Sequence, residues 1–347
     1  MTTNTMTGVQ LVGHGGPEML EIRHDLAIPT PAKGDVLIKV HAAGVNNTDI
    51  NTRIGWYSKG DNEADDASWG GTALPLPLIQ GADVCGTVVA VGEGVDPRRI
   101  GERVIIEPCL HYADGQPLES AWYFGSECNG GFAQFTKVAA QHAFTVNTDL
   151  TDAELASFPC SYSTAENLLT RSKVSASDTV LISGASGGVG SAAIQLAKAR
   201  GAKVIAITSE SKFETILALG TDQVVSRHTN LIEALGHNSI EVVIDLVGGE
   251  NWDDFLQVLK PKGRYAVSGA IGGALVELDL RTLYLKDLNF FGCTVIEPEV
   301  FGNLVRHIEH GNIKPLVAQT YPLSEINQAQ QAFQTKSHVG KIVLTLE

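Results

Sequence analysis

The pattern of apolar and polar positions changes at about residue 150. Before that point, short apolar runs bounded by Gly and Pro alternate with polar turns, most clearly at 36–45, 84–92 and 101–106. Runs of this kind predict β-strands. We therefore expect the first part of the chain to form a compact β barrel or sandwich with irregular loops.

From residue 151 onward, apolar strands alternate with helical patterns. Thr151 and Glu154 form a capping-box pattern at the start of this region. The predicted strands are 179–185, 203–208, 223–226, 241–247 and 263–269, and the predicted helices are 187–201, closed by Gly201, and 211–220. This alternation predicts an α/β fold with a doubly wound parallel sheet. A helix at 300–311 and a strand at 340–347 follow, and we expect them to return to the first part.

The composition narrows the class of function. The chain has 347 residues, a net charge of −14 and five widely spaced cysteines. An acidic chain repels phosphate backbones and anionic membranes, so a nucleic-acid or membrane partner is not expected. The N-terminus lacks the features of a signal peptide, and no apolar run reaches the roughly 18 residues of a membrane span. Few and scattered thiols favour a reducing cytoplasm.

An acidic segment interrupts the first part of the chain. Residues 58–72 contain Asp61, Glu63, Asp65 and Asp66. A solvated acidic loop is the simpler interpretation, and a lid over a pocket is the functional one, since long loops in compact domains are often functional.

Glycines at 184–190 provide the strongest local motif, GASGGVG. The motif follows a predicted strand and opens a predicted helix, which is the context of a dinucleotide-binding turn. Gly184 and Gly187 allow the backbone to approach a pyrophosphate, and Gly190 allows close packing of helix on sheet. The N–H groups at the helix start would bind the phosphates.

The same residues contain a second motif. Residues 184–188 match the G-x-S-x-G nucleophile elbow of α/β-hydrolases. That hypothesis needs a downstream acid and histidine, for which Asp245 and His307 or His338 are candidates. It leaves Gly190 unexplained.

The residues after the second strand of this region indicate the cofactor. NAD sites usually carry an acid at the end of that strand, but this strand ends at Thr208 and Ser209. Lys212 and Arg227 follow, and two cations with a hydroxyl suit the 2′-phosphate of NADPH. Glu210 is a discordant neighbour. We therefore predict NADPH as the cofactor, bound by Ser209, Lys212 and Arg227.

Several segments together resemble the medium-chain dehydrogenase/reductase superfamily, in particular its zinc-free quinone oxidoreductase branch. The resemblance covers almost the whole chain. The segments are HAAGVNNTD at 41–49, QGADVCGTVVAVGEGV at 80–95, GERV at 101–104, GGFAQF at 130–135, PCSYSTA at 159–165, GASGGVG at 184–190, LKPKGRYAVSG at 259–269 and VGKIVL at 339–344. The resemblance implies a GroES-like catalytic domain at 1–150, a Rossmann domain at 151–295 and a segment at 296–347 that rejoins the former.

The resemblance also predicts the absence of a catalytic metal. Zinc-dependent members place Cys, His and Cys where this chain has Asn46, Ala82 and Cys160, with an acid where it has Asp83. An amide and a methyl group do not replace a thiolate and an imidazole as zinc ligands. Cys160 is then expected to line the pocket.

In other members of the superfamily, one segment binds a structural zinc through four closely spaced cysteines, and the corresponding segment of this chain has fewer such ligands. Here it contains Cys109, His111 and Cys128 and has no C-x-x-C pair, so no metal is expected there either.

Without zinc, the branch reduces quinones, enones and related α,β-unsaturated carbonyls, which accept hydride at carbon. The resemblance assigns Asn46, Thr48 and Tyr57 to catalysis, with Tyr57 as a hydrogen-bond or proton donor or, alternatively, an aromatic packed on Trp56. Asp49 is expected to be structural. The other functional hypotheses are an alcohol dehydrogenase or aldehyde reductase and a non-catalytic nucleotide-binding module.

The remaining expectations concern the cofactor and the assembly. The resemblance places Ser186, Gly187, Gly188, Val189 and Lys341 at the pyrophosphate and Thr164 near the nicotinamide. Val247 and Gly269 follow later strands, where open α/β sheets bind ligands. A homodimer formed through an edge strand near 275–280 is a family expectation.

Overall fold

The computed structural model describes residues 5–58 and 68–347. Its internal contacts divide the chain into two units. Unit 1 is Met1–Cys160 with Pro315–Glu347, and unit 2 is Ser161–Lys314. The predicted boundaries, 150 and 295, lie earlier. The expected return of the C-terminal segment to the first part is present, but the helix predicted at 300–311 belongs to unit 2.

The strands are numbered in chain order. They are β1 Thr5–Leu11, β2 Leu20–Ala27, β3 Asp35–Gly44, β4 Leu78–Ile79, β5 Asp83–Val91, β6 Arg103–Ile106, β7 Cys109–Ala113, β8 Gln116–Tyr123, β9 Phe135–Ala139, β10 Ala143–Thr145, β11 Thr179–Ile182, β12 Lys203–Thr208, β13 Gln223–Ser226, β14 Ile240–Asp245, β15 Leu259–Val267, β16 Asn289–Gly292, β17 Val317–Pro322 and β18 Lys341–Thr345.

The α-helices are α1 Asn47–Arg53, α2 Asp152–Leu155, α3 Pro159–Arg171, α4 Gly188–Ala199, α5 Phe213–Leu217, α6 Leu231–Leu235, α7 Trp252–Val258, α8 Leu280–Leu285, α9 Val300–Glu309 and α10 Ile326–Gln334. Short 3-10 turns occur at Pro17–Met19, Pro97–Arg99, Ala140–His142, Glu210–Lys212 and Leu323–Glu325. Among the described residues, no helix is both long and apolar enough to cross a membrane.

Unit 1 is built around β3, whose side chains are almost all buried. In the main sheet the strand order is β10-β6-β5-β3-β18-β17, and β9 also pairs with β3. Gly44, the last residue of β3, pairs with Asp83 of β5 on one side and with Val343 of β18 on the other. This register brings residues from three distant parts of the sequence to one end of β3.

Unit 2 is a parallel sheet with the strand order β13-β12-β11-β14-β15-β16. Every pair in this order is parallel, and the order reverses between β11 and β14. The predicted doubly wound sheet is confirmed. Ligands of such sheets bind outside the carboxyl ends of the strands at this reversal.

Local signals in the sequence explain several element boundaries. The side chain of Thr151 accepts a hydrogen bond from the N–H of Glu154, so the predicted capping box is confirmed. Gly201 has φ +81° just past the end of α4, a left-handed conformation that favours glycine. The predicted helix at 211–220 is a 3-10 turn followed by the short α5. Most of the acidic segment, residues 59–67, lies outside the described residues.

Candidate active site

The glycine turn of unit 2 is packed so tightly that glycine is required at two positions. Gly184 has φ +57°, and a Cβ at that position would lie 3.1 Å from Cγ2 of Val247. A Cβ on Gly190 would lie 2.3 Å from the carbonyl oxygen of Gly184. Ser186 and Gly187 end the turn, and α4 begins at Gly188. The turn therefore directs the N-terminus of α4 to the carboxyl end of β11, where a phosphate would bind.

Two cations lie beside this turn. Lys212 Nζ donates to Ser186 Oγ at 3.3 Å. Burial and the nearby positive charge of Arg227 lower the pKa of Lys212. Thr208 Oγ1, at the end of β12, is buried and has no hydrogen-bond partner within the described chain. The two cations and the Thr208 hydroxyl are the groups from which the sequence predicts a 2′-phosphate site.

A buried acid fixes the loop that carries Val247. Asp245 accepts hydrogen bonds from Ser183 Oγ and Tyr265 Oη, both at 2.6 Å, and from the N–H of Val247 at 2.9 Å. The sequence does not predict a role for Tyr265 or Ser183. The one feature that points to them is Asp245, an acid at the end of an apolar strand that needs buried hydrogen-bond donors. Asp245 is thus a structural anchor in this site. Because Lys212 contacts Ser186 and Asp245 is held by Ser183 and Tyr265, the geometry opposes the nucleophile-elbow hypothesis.

The other predicted cofactor residues of unit 2 lie as follows. Gly269 packs so closely on Leu246 that a Cβ would lie 2.6 Å from its carbonyl oxygen. Val189 is in the first turn of α4, and Ser209 precedes the 3-10 turn at Glu210–Lys212. Thr164 lies half-buried in α3. The roles predicted for these residues remain predictions.

Unit 1 contains a buried charge cluster, defined here as Asn46, Asp49, Asp83 and Lys341. Lys341 Nζ lies 2.8 Å from Asp83 Oδ2 and also donates to Asn46 Oδ1. Asn46 Nδ2 donates to Asp83 Oδ2 at 2.9 Å. The side chains of Lys341 and Asp83 are 2% and 0% exposed. The ammonium is therefore paired with a carboxylate inside unit 1, and its predicted role at a pyrophosphate stays a prediction.

Asp49 adds a second carboxyl group to this cluster. Its Oδ2 accepts the backbone N–H of Asn46 at 2.7 Å, which fixes the start of α1. Burial, followed by the charge of Asp83, raises the pKa of Asp49 to about 7, although hydrogen bonds and Lys341 oppose the change. With Asp49 protonated, one carboxylate and one ammonium leave the cluster neutral.

Thr48 and Tyr57 form a hydroxyl pair on and just after α1. Tyr57 Oη donates to Thr48 Oγ1 at 3.0 Å, and the Tyr57 ring also packs edge-on against Trp56 at 5.5 Å. The packing on Trp56 is therefore present, and the catalytic role of Tyr57 stays a prediction. Burial raises the pKa of Tyr57, so this phenol stays protonated near neutral pH. Because Thr48 Oγ1 accepts this hydrogen bond, the hydroxyl proton of Thr48 can be donated to another acceptor.

Cys160 lies next to the cluster in unit 1. Its backbone N–H donates to Asp83 Oδ1 at 2.5 Å, and Tyr123 Oη donates to its Sγ at 3.0 Å. Burial raises the pKa of Cys160 to about 12, so this group is a thiol and not a thiolate. Tyr123 was missed by the sequence analysis because no motif contains it.

The structure also describes the predicted metal-free segment. Within residues 5–58 and 68–347, no three His, Cys, Asp or Glu side chains are grouped so as to hold a metal ion. His142, which was not predicted, bonds Glu107 at 2.7 Å through Nδ1 and accepts the backbone N–H of His111 at 3.3 Å through Nε2. This buried pair ties β7 to the rest of unit 1.

The parallel sheet and glycine turn of unit 2 are those of a dinucleotide-binding domain, and two family matches identify the class as a dehydrogenase. The alcohol dehydrogenase GroES-like domain matches residues 32–148, and the zinc-binding dehydrogenase family matches residues 188–310. These matches confirm the GroES-like and Rossmann fold class.

Individual relatives cover nearly the whole chain. Quinone oxidoreductase of Rattus norvegicus is 30% identical over 98% of both chains. Acryloyl-coenzyme A reductase of Metallosphaera sedula is 30% identical over 98% of this chain and 100% of its own. The crystal structure of a putative alcohol dehydrogenase from Sinorhizobium meliloti 1021 is 47% identical, with a TM-score of 0.93 over 99% of this chain and 97% of its own. The chain belongs to the medium-chain dehydrogenase/reductase superfamily, in its quinone oxidoreductase-like branch.

Proposed function

We propose that the protein is an NADPH-dependent reductase that adds hydride to a quinone, an enone or a related α,β-unsaturated carbonyl without a catalytic metal. The buried charge cluster is the observation that carries this proposal. Asn46 and Ala82 stand where zinc-dependent members have ligands, and Asp83 is already paired with Lys341. An acceptor that delocalises its own charge needs no Lewis acid, whereas an alcohol or simple carbonyl gains most from one.

The residues of unit 2 fit a nicotinamide dinucleotide. The absence of a Cβ at Gly190 lets the start of α4 approach the Gly184 carbonyl closely, and Thr208 Oγ1 at the end of β12 is buried with no hydrogen-bond partner among the described residues. When bound, the cofactor supplies a hydride from C4 of its nicotinamide. Lys212 and Arg227 would hold the 2′-phosphate, Ser186, Gly187, Gly188 and Val189 the pyrophosphate, and Thr164, Val247 and Gly269 the nicotinamide end.

The residues of unit 1 would stabilise the developing enolate. Tyr57 donates to Thr48, which directs the Thr48 proton toward another acceptor, the substrate oxygen in this proposal. Hydrogen-bond donors aimed at developing charge are often a large contribution to catalysis. Asn46 has its amide N–H groups directed at Asp83 and Gly44, so we assign it to the support of this pair rather than to direct substrate contact.

The relatives support a conjugated acceptor but also leave a second candidate. Quinones and acryloyl thioesters, named in two of the relatives, are both conjugated carbonyl compounds. The 47% identity to a putative alcohol dehydrogenase favours oxidation or reduction at an alcohol or aldehyde instead. A screen of NADPH oxidation with quinones, enones and aldehydes separates the two, and no turnover with any acceptor would favour a non-catalytic module.

Cofactor choice has its own test. Lys212→Ala with Arg227→Ala should weaken NADPH binding by about tenfold to a hundredfold per lost charged hydrogen bond and leave NADH binding nearly unchanged. Kd values from quenching of intrinsic fluorescence give the measurement. Lys203→Ala, an exposed lysine at the opposite end of β12, is the matched control. Tighter binding of NADH than NADPH to the unaltered protein would contradict the proposal.

We also propose a cytoplasmic homodimer that uses the edge of the unit 2 sheet. β16 is one of the two edge strands, and Leu275, Leu280 and Leu285, which precede it in the chain, are 95%, 65% and 71% exposed. Residues 275–279 are not a strand, so the expected strand position moves to β16. Leu280→Lys with Leu285→Lys should convert a dimer to a monomer in light scattering coupled to gel filtration, because the charges would be buried.

A further inference from the structure

Tyr123, the last residue of β8, has a buried phenol that lies beside the thiol of Cys160. Tyr123 is 5% exposed, and its Oη donates to Cys160 Sγ at 3.0 Å. A sulfur atom is a weak hydrogen-bond acceptor. Because burial has removed water, the phenol has exchanged a strong acceptor for a weak one. The Tyr123 hydroxyl is therefore a buried donor that would gain from meeting an oxygen atom.

The ring of Tyr123 is held in place by its surroundings. It packs on the ring of Trp69 with centroids 5.0 Å apart, and the backbone N–H of Tyr123 donates to Glu127 Oε2 at 2.7 Å. Glu127 Oε1 accepts the N–H of Gly70 at 2.7 Å, so one carboxylate joins the segment of Trp69 to that of Tyr123. Since the ring is fixed, a rotation about the Cζ–Oη bond is enough to redirect the proton. A donor fixed in this way needs little reorganisation when charge develops on a nearby oxygen.

The Cys160 thiol lies close to the residues proposed for catalysis. The Cys160 backbone N–H and the Asn46 amide donate to the two oxygens of one carboxylate, that of Asp83. Burial is the largest cause of the raised pKa of Tyr57, and Cys160 is one of the smaller causes, so the thiol lies near that phenol too. Cys160 is partly exposed. The phenols of Tyr57 and Tyr123 thus lie near one thiol that a small molecule can approach.

We propose that Tyr123 is a further catalytic residue, which exchanges its hydrogen bond to the Cys160 thiol for one to the carbonyl oxygen of the acceptor. The inference rests on the proposed function, in which hydride adds to carbon. As the new C–H bond forms at the β-carbon, the C=C electron pair moves toward oxygen, and Tyr123 donates to the developing enolate. Tyr123 keeps its proton, and the enolate is protonated by water.

A phenol in this role must not ionise. Burial, followed by the influence of Cys160, raises the pKa of Tyr123 well above its ordinary value. The Tyr123 hydroxyl therefore stays a donor at any pH at which the protein is folded and active.

The experiment uses Tyr123→Phe, which removes the hydroxyl and keeps a ring to pack on Trp69. With NADPH and cyclohexenone, kcat should fall about 10²-fold, the usual effect of losing one donor to a developing oxyanion. KM for cyclohexenone should change by less than about threefold, because the hydrogen bond is weaker to a neutral carbonyl than to an enolate. The thermal midpoint and the Kd for NADPH should be nearly unchanged, since the acceptor lost in the free protein is a thiol.

Tyr112→Phe is the matched control. Tyr112 lies on the neighbouring strand β7, where it pairs with Pro117, whereas Tyr123 pairs with Cys109. The control should keep kcat. An unchanged kcat in Tyr123→Phe would overturn the inference, and an equal loss in Tyr112→Phe would do so by showing a general disturbance of the hairpin. A raised KM or a lowered thermal midpoint with kcat retained would make the role of Tyr123 structural.

A spectroscopic measurement separates this inference from the proposed function. Cyclohexanone offers the same carbonyl oxygen, and it cannot be reduced when the cofactor present is oxidised. In protein labelled with ¹³C at tyrosine Cζ, the signal that Tyr123→Phe removes should shift when cyclohexanone is added, and the Tyr112 signal should not. This shift is expected whichever acceptor the enzyme reduces. An unmoved Tyr123 signal would contradict the inference, even if NADPH oxidation with cyclohexenone is rapid.

Discussion

The glycine turn of unit 2 and the buried charge cluster of unit 1 handle charge in opposite ways. Beside the turn, Lys212 and the exposed Arg227 lie close enough that Arg227 lowers the pKa of Lys212. In the cluster, the one ammonium lies against a carboxylate and both are shielded from solvent. The two adjacent cations repel each other, and the proposed 2′-phosphate would relieve that repulsion. The buried ion pair already satisfies its own charges without a ligand.

The largest expected effect tests the neutralised pair. Asp83→Ala should lower the free energy of unfolding of unit 1 by about 3–5 kcal/mol, because it leaves the buried Lys341 without its counter-ion. It also removes the acceptor of the Cys160 N–H. Chemical denaturation followed by tryptophan fluorescence, to which Trp56 and Trp122 of unit 1 contribute, gives the measurement.

Asp96→Ala provides the control for that prediction. Asp96 pairs with Arg98 at the surface, and exposed pairs contribute little, so stability should be nearly unchanged. If Asp83→Ala and Asp96→Ala lowered the free energy of unfolding equally, the buried ion pair would contribute no more to stability than the exposed one.

The second prediction concerns pH. The pKa of Asp49 is about 7 in the folded protein and 3.8 in its ordinary state. Between these values the folded chain binds a proton that the unfolded chain does not, so stability falls as pH rises. The slope is about 1.4 kcal/mol per pH unit for one proton, and it levels off above pH 7.

Asp49→Asn should remove this slope. The stability of the variant relative to the unaltered protein should rise by about 2 kcal/mol from pH 5 to pH 7, because the slope is already reduced near pH 7. Denaturant titrations at the two pH values measure the difference. Asp25→Asn is the control, because Asp25 is exposed and its pKa lies below the usual value. A constant difference between the Asp49 variant and the unaltered protein at both pH values would show that Asp49 is ionised throughout.

The smallest expected effect tests the turn. Gly190→Ala would force a Cβ to within 2.3 Å of the Gly184 carbonyl, and overpacking of this kind costs about 1–3 kcal/mol. Movement of the turn should weaken NADPH binding about tenfold. Gly302→Ala in α9, where a Cβ meets open space, should leave binding unchanged and stabilise the chain by up to about 1 kcal/mol. Unchanged affinity in the Gly190 variant would show that the turn does not contact the cofactor.

The two regions also differ in how far the sequence predicts them. The turn is contiguous, and its glycines, strand and helix all follow from local spacing, so GASGGVG was recognised directly. The cluster joins residues near 46, 83 and 341, which meet only because β5 and β18 pair with opposite sides of β3. No local pattern reveals that register. The resemblance identified Asn46, Asp83 and Lys341 separately, but it did not predict that their side chains contact one another.

The same limit explains Tyr123 and His142. Tyr123 donates to Cys160, and His142 bonds Glu107 and accepts the backbone N–H of His111. These partners lie far away in the sequence, and neither residue belongs to a motif. The capping box at Thr151 and the glycine after α4 were predicted because their partners lie within a few residues. A single sequence therefore predicts the contacts between residues that are close together in the chain, and it does not predict those between distant residues.

The return of the C-terminal segment to unit 1 has a consequence for synthesis on the ribosome. Chains emerge from the N-terminus, and domains generally fold as they become complete. Unit 2 ends at Lys314 and has all of its strands before unit 1 has β18. Until β18 emerges, the end of β3 at Ala42–Gly44 lacks its β18 neighbour and Asp83 lacks its counter-ion. Unit 1 is therefore completed after unit 2, and a chain that stopped before β18 would have a finished unit 2 joined to an unfinished unit 1.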